Sequence, residues 1–229
     1  MAADKGYGRL PVVVNSLLAL LFCAMCGLAP AQAQTAPIKI AMLGDSLTAG
    51  LGLGDGQSLP SRLQKALRAQ GRDVTVLNHG VSGDTTAGGL SRVGWMLDDK
   101  PDIVFVELGA NDALRGIDPA DAERNLAATV EKLQAAHTTV WLAGMLAPRN
   151  LGPEYDKAFD GIYQRLAERY KVPLYPFLLD GVARQPDLNQ ADGLHPNEKG
   201  VGVIVERMMP FVIANLDAYA ATVHRPARP

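Results

Sequence analysis

From Ile38 onward, short apolar runs alternate with longer segments of helical spacing, and that alternation admits few folds. The runs are Ile38 to Leu43, Val74 to Leu77, Ile103 to Leu108, Val140 to Met145 and Pro173 to Phe177. They are apolar along nearly their whole length, the pattern of strands covered on both faces. Between them lie Leu59 to Ala69, Ala87 to Leu97, Ala120 to Ala136 and Tyr155 to Tyr170. In the third of these, Ala122, Leu126, Val130 and Leu133 recur every three to four residues and form one face. Strands joined through helices run parallel. The expected architecture is therefore α/β, a three-layer α/β/α sandwich around a parallel five-stranded sheet. A closing helix is expected over Asn197 to Tyr219, kinked or interrupted at Pro210, followed by a frayed tail over 223–229.

The first 33 residues read differently. Lys5 and Arg9 precede an apolar run from Leu17 to Ala29, which ends in Pro30 and the small-x-small site Ala31-Gln32-Ala33. That is the layout of a secretory signal peptide cleaved after Ala33. The run is shorter than the ~20 residues that span a bilayer, so no stable membrane anchor is expected after cleavage. Phe22 and Met25 stand before the two cysteines where a lipidation site needs a small residue. Both cysteines, Cys23 and Cys26, leave with this segment, so the exported periplasmic or secreted protein relies on its core rather than on disulfides. A net charge of −2 supplies no positive excess for a phosphate backbone, and nucleic acid is excluded as a partner.

In open parallel sheets, ligands sit beyond the carboxyl ends of the strands. The loops expected there carry Gly44-Asp45-Ser46-Leu47, Asn78 to Asp84 and Gly109-Ala110-Asn111-Asp112, and a fourth polar segment runs from Asp192 to Asn197. With no cysteine left, covalent chemistry needs oxygen or nitrogen. A serine hydroxyl becomes a nucleophile when a base takes its proton and a third group orients the base. Ser46, His195 and Asp192 offer that set, Asp192 standing three residues before the histidine. Donors for an oxyanion are available from the Ser46 N–H, the Gly83 N–H and the Asn111 side-chain amide. Taken singly, each has a plainer reading: Ser46 as a helix cap, His195 as a solvated loop residue, Gly83 as a turn glycine, Asn111 as an Asx turn. Asp45, Asp84 and Asp112 are expected to make loop hydrogen bonds rather than transfer protons.

Together, Gly44-Asp45-Ser46-Leu47, Ser82-Gly83-Asp84-Thr85, Gly109-Ala110-Asn111-Asp112 and Asp192-Gly193-Leu194-His195-Pro196 resemble the four ordered blocks of the SGNH (GDSL) hydrolase superfamily. The resemblance runs from about Ile38 to Phe211. It is closest to the periplasmic thioesterase, arylesterase and lysophospholipase branch, through Gly109 to Gly116 and Asp192 to Asn197. It implies a flavodoxin-like SGNH hydrolase fold over 34–222, with Ser46 as nucleophile, His195 as base and Asp192 orienting it. It also implies an oxyanion hole of Ser46, Gly83 and Asn111, and neither metal nor cofactor. The implied substrate is a small acyl ester, thioester or lysolipid. His79 and Leu59 depart from that branch, and each is expected to affect packing or the pocket rather than the chemical step.

The acyl groove is less legible. Leu47, Leu51, Leu53, Leu114, Leu146 and Leu151 are candidates to line it. The segment Leu146 to Tyr155, with Gly152 and Pro153, is expected to be a loop covering it. Two alternatives share the scaffold: a carbohydrate O-acetylesterase, which would want aromatic platforms, and a non-catalytic binding module. A dinucleotide site fails on register. In the run Gly50, Gly52, Gly54 and Gly56, the pattern G-x-G-x-x-G would need glycine where Asp55 or Gln57 stands.

Overall fold

The computed structural model describes residues 1–3 and 36–222. All but the first three residues of the expected signal peptide, together with Cys23, Cys26, His224 and the 223–229 tail, lie outside the described residues.

Five strands form one sheet: β1 (Ile38–Gly44), β2 (Val74–Gly80), β3 (Ile103–Glu107), β4 (Thr139–Ala143) and β5 (Leu174–Tyr175). Their order is β2-β1-β3-β4-β5 and every pairing is parallel, the flavodoxin-like arrangement. The helices are α1 (Ser46–Ala49), α2 (Leu59–Ala69), α3 (Thr86–Leu97), α4 (Ala110–Leu114), α5 (Pro119–Ala135), α6 (Pro153–Asp160), α7 (Ile162–Tyr170) and α8 (Glu198–Thr222). Helices α2 and α8 pack against each other, as do α3 with α5 and α5 with α7, which gives the three layers. The core is apolar and aromatic: Phe105 of β3 meets Trp141 of β4 edge-on at 5.8 Å and stacks at 5.8 Å on Phe211 of α8.

Some elements differ from the sequence expectation. Strand β2 runs to Gly80, because Met42, Leu43 and Gly44 of β1 pair with Asn78, His79 and Gly80. His79 is thereby a buried strand residue, edge-on to Trp95 at 5.5 Å with Nε2 3.1 Å from Asp99. Burial pushes its pKa down, and it has a structural surrounding. The expected loop from Leu146 to Tyr155 is a loop only as far as Gly152, because α6 starts at Pro153, where the missing N–H costs nothing. Gly161 then separates α6 from α7, splitting the single helix expected over Tyr155 to Tyr170. Helix α8 continues through Pro210. Both Pro210 and Glu206, whose carbonyl loses its helical donor there, are exposed, so that group can be satisfied by solvent.

Candidate active site

The sheet order changes direction between β1 and β3, and there the loops after the two strands part and leave a crevice. Gly44 pairs with Gly80 on one side and Glu107 on the other, so β1, β2 and β3 finish level. Their loops carry Ser46, Gly83 and Asn111 to the same edge. The segment from Gln190 to Asn197 comes up from the α8 side to meet them.

Ser46 opens α1, but it is not the cap. Asp45 fills that place, its Oδ1 accepting the Leu47 N–H at 3.0 Å. The serine hydroxyl is thus spared from backbone capping and lies 2.8 Å from His195 Nε2. His195 Nδ1 is 2.6 Å from Asp192 Oδ2. A carboxylate only accepts, so Nδ1 carries the proton and Nε2 of the neutral ring is left to accept from Ser46. Asp192 Oδ1 takes the backbone N–H groups of Leu194 at 2.9 Å and His195 at 3.0 Å. Those backbone bonds, with the imidazole, hold its carboxyl down at about 2. Asp192 therefore remains an orienting anion through mildly acidic conditions.

Three residues outside the expected set fix this loop. The Gln190 N–H donates to the His195 carbonyl at 2.7 Å, and its side-chain amide donates to the carbonyls of Leu51 at 2.7 Å and Pro196 at 3.0 Å. A Cβ on Gly52 would stand 2.1 Å from Gln190 Oε1, so the glycine-rich run that resembles a phosphate loop instead makes room for this strap. Asn197 donates to the carbonyls of Asp187 at 3.0 Å and Asn189 at 3.1 Å. Asn189 donates to those of Val182 at 2.7 Å and Gln185 at 2.8 Å. On the opposite side Arg92 ties the loop after β2 to the ends of β1 and β2, reaching Asp84 at 2.7 Å and the carbonyls of Gly44 and His79 at 3.1 Å each.

Asn111 Nδ2 donates to Asp45 Oδ2 at 3.1 Å and to the Asp84 carbonyl at 3.0 Å, which places its amide beside the Ser46 turn. Gly83 is held from below by Arg115, which donates to its carbonyl at 2.7 Å. Among the described residues the N–H groups of Ser46 and Gly83 have no protein acceptor. Asp84, in the loop after β2, bonds Arg92, whereas Asp112 lies in α4 and its carboxylate accepts from the N–H and hydroxyl of Thr86 at the start of α3 at 2.8 and 2.6 Å, joining two helices.

Asp45 is fully buried, and burial raises its pKa to about 6 against the bonds from Leu47 and Asn111. A carboxyl raised on folding makes the native state less stable as pH climbs from 3.8, where the unfolded group ionises, to about 6. Asp45→Asn is therefore expected to flatten the decline in melting temperature across that window. The variant also sets two amide donors face to face at Asn111, so the slope, not the absolute stability, is the diagnostic. An unchanged slope in melts at successive pH values would mean that Asp45 titrates normally.

A cavity of about 630 Å³ opens at Ser46 and His195. Leu47, Leu114 and Leu146 line it, together with Ala113, Met145 and Phe177. Leu151 does not. The chain turns at Gly152, whose φ is 95°, and leaves Leu151 beside Gly116 instead. Leu51 is exposed, and Leu53 packs on the core. The 146–152 loop is tied to α6 by the Ala147 N–H to Asp160 at 2.9 Å and by Arg149 to Asp160 at 2.6 Å. Among the described residues no group of three or more His, Cys, Asp or Glu side chains converges to hold a metal ion.

Comparison with known proteins agrees with this arrangement. Residues 42–203 match the model of the GDSL-like Lipase/Acylhydrolase family. The chain is 40% identical to "Esterase TesA" of Pseudomonas aeruginosa over 193 residues, 84% of this chain and 96% of that protein. It is 35% identical over 192 residues to "Thioesterase 1/protease 1/lysophospholipase L1" of Escherichia coli K12, 83% of this chain and 89% of that protein. The crystal structure of AlinE4, an SGNH-hydrolase family esterase, is 48% identical over 79% of this chain and 97% of its own, with a TM-score of 0.67. By its four blocks, its sheet order and these relatives, the chain belongs to the GDSL-like lipase/acylhydrolase family.

Proposed function

We propose that the protein is an exported serine esterase that hydrolyses small carboxylic esters and thioesters through an acyl-serine intermediate. The observation that carries this reading is the continuous line from Ser46 Oγ to His195 Nε2 at 2.8 Å and from Nδ1 to Asp192 at 2.6 Å. In the first half-reaction His195 accepts the Ser46 proton as Oγ bonds the acyl carbon. The carbonyl oxygen becomes an oxyanion facing the Ser46 N–H, the Gly83 N–H and the Asn111 amide. As the tetrahedral centre collapses, the C–O or C–S bond breaks and the imidazolium gives its proton to the leaving alcohol or thiol. Water then repeats the sequence on the acyl-serine, with His195 taking its proton and returning it to Ser46. Asp192 stays ionised throughout and stabilises the imidazolium.

For Asn111 to serve the oxyanion, one of its two present bonds must be exchanged. The neutral Asp84 carbonyl is the weaker partner to give up, since a bond to a carboxylate is the stronger kind. The apolar walls from Leu47, Leu114 and Leu146 suit an aliphatic acyl group, and the names of the Escherichia coli relative extend the range to thioesters and lysophospholipids. Among the described residues Phe177 is the one Phe, Tyr or Trp lining the cavity, so little there supports stacking on a sugar. Export is supported by the Lys5, Arg9, Leu17 to Ala29 and Ala31-Gln32-Ala33 pattern.

Hydrolysis of p-nitrophenyl esters from acetate to palmitate tests this reading. Turnover is expected, highest with short to medium chains and falling toward palmitate. No turnover with Ser46 still labelled by a fluorophosphonate would move the assignment to acetylated carbohydrates. Neither turnover nor labelling would leave a binding module.

A further inference from the structure

Beneath the nucleophile lies an acid that the reaction does not use. Glu107, the last residue of β3, is fully buried and stands opposite Gly44 in the sheet register. Its Oε2 accepts the Thr48 hydroxyl at 2.7 Å and, at 3.4 Å, the Asp45 N–H. Among the described residues its Oε1 has no hydrogen-bond partner. Asp45 in the β1–α1 turn is the charge nearest to it. Around that pair are Asp112 of α4, His195 of the 190–197 loop, Tyr163 of α7 and, through the Gly44 carbonyl, Arg92 of α3. Burial, reinforced by Asp45, pushes the Glu107 carboxyl well above its usual range.

A buried acid with an unsatisfied oxygen is a burden on the fold. The benefit lies in α1, which is only four residues long. One helical turn fixes several backbone dihedrals for a single hydrogen bond and does not hold itself. Two buried side-chain pins flank the serine, Asp45 on the Leu47 N–H at the start and Glu107 on the Thr48 hydroxyl one turn later, while the Asn78 amide adds a longer bond of 3.3 Å to the Ala49 carbonyl at its end. The site is shaped for the second pin, since a Cβ at Gly44 would stand 2.1 Å from Thr48 Oγ1 and 2.6 Å from Glu107 Oε2. Between the pins sit the Oγ and N–H of Ser46, which must hold their aim to within a fraction of an ångström.

We infer that Glu107 is a positioning residue for this reaction: through Thr48 and the Asp45 N–H it fixes the turn that aims Ser46, at the expense of stability. The inference rests on Ser46 being the nucleophile.

The test compares wild type, Glu107→Gln and the double variant Thr48→Val, Glu107→Leu. Each is assayed for kcat and KM on a soluble short-chain p-nitrophenyl ester, for the rate of fluorophosphonate labelling of Ser46, and for melting temperature. The double variant removes the Thr48 hydroxyl and its acceptor together and takes away the orphaned oxygen; it strands only the Asp45 N–H, whose contact with Glu107 is already long at 3.4 Å. Its kcat and labelling rate are expected to fall on the order of 100-fold with KM little changed. Its melting temperature is expected to hold or rise. Glu107→Gln retains a carbonyl oxygen for Thr48 and should keep most of the wild-type kcat. An unchanged kcat in the double variant would overturn the inference. So would a glutamine variant as slow as the double one, or a melting temperature that drops in step with kcat, which marks a purely structural role. Failure of the underlying reading shows separately, as wild-type protein that is not labelled at Ser46.

Discussion

Ser46→Ala is expected to lower ester hydrolysis by roughly 10⁵-fold and to abolish covalent labelling by fluorophosphonates. The size follows from what is lost. The hydroxyl 2.8 Å from His195 Nε2 is the atom that would bond the acyl carbon, and no cysteine remains among the described residues to replace it. What survives is the oxyanion donors and the apolar walls, enough for slow attack by water on a bound ester. Substrate binding should persist, because one buried oxygen contributes little to a cavity of about 630 Å³. Mass spectrometry of the peptide spanning residue 46, before and after reagent, supplies the check. Labelling elsewhere with hydrolysis intact would place the nucleophile on another residue.

His195→Ala should be nearly as severe, because nucleophile and base act as one unit and losing either disables both. The fold should tolerate it. Asp192 would keep the backbone N–H groups at 194 and 195, and its side chain is 44% exposed to solvent. The variant should differ from Ser46→Ala in its response to pH. Hydroxide can take over part of the lost base function, so residual turnover of His195→Ala should climb steadily with pH while that of Ser46→Ala gains nothing through Ser46. Near-wild-type turnover in a folded His195→Ala protein would overturn its assignment as the base. A flat pH response with labelling lost would argue that the imidazole acts chiefly by holding the serine in place.

The strands were legible because their burial on both faces is written as unbroken apolar sequence, Ile103 to Val106 above all. Asn78 to Gly80 misled because those polar residues join a strand only through pairing with Met42 to Gly44, a partner that local sequence does not reveal. Likewise Gly161 parts two helices whose apolar spacing runs on as one. Within the site, Ser46, Asp192 and His195 stood out because they are reactive residue types in motif-bearing loops. Glu107, Arg92 and Gln190 did not, since their roles exist only in contacts between distant segments. One signal was present: an acid ending an apolar run, Ile103 to Glu107, is costly wherever that run is buried. The cap assignment shows a subtler limit, because the preference for a polar residue at the start of α1 is met by Asp45, one position before the serine.

Ser46 and His195 are 149 residues apart in the chain yet share one hydrogen bond. The serine is synthesised near the start of the domain and its proposed base near the end, so a partly made chain would carry a hydroxyl with nothing to activate it. On the proposed mechanism, hydrolysis would be confined to molecules that have brought β1 and the 190–197 loop together, and the appearance of activity would report the completion of folding rather than the formation of any one part.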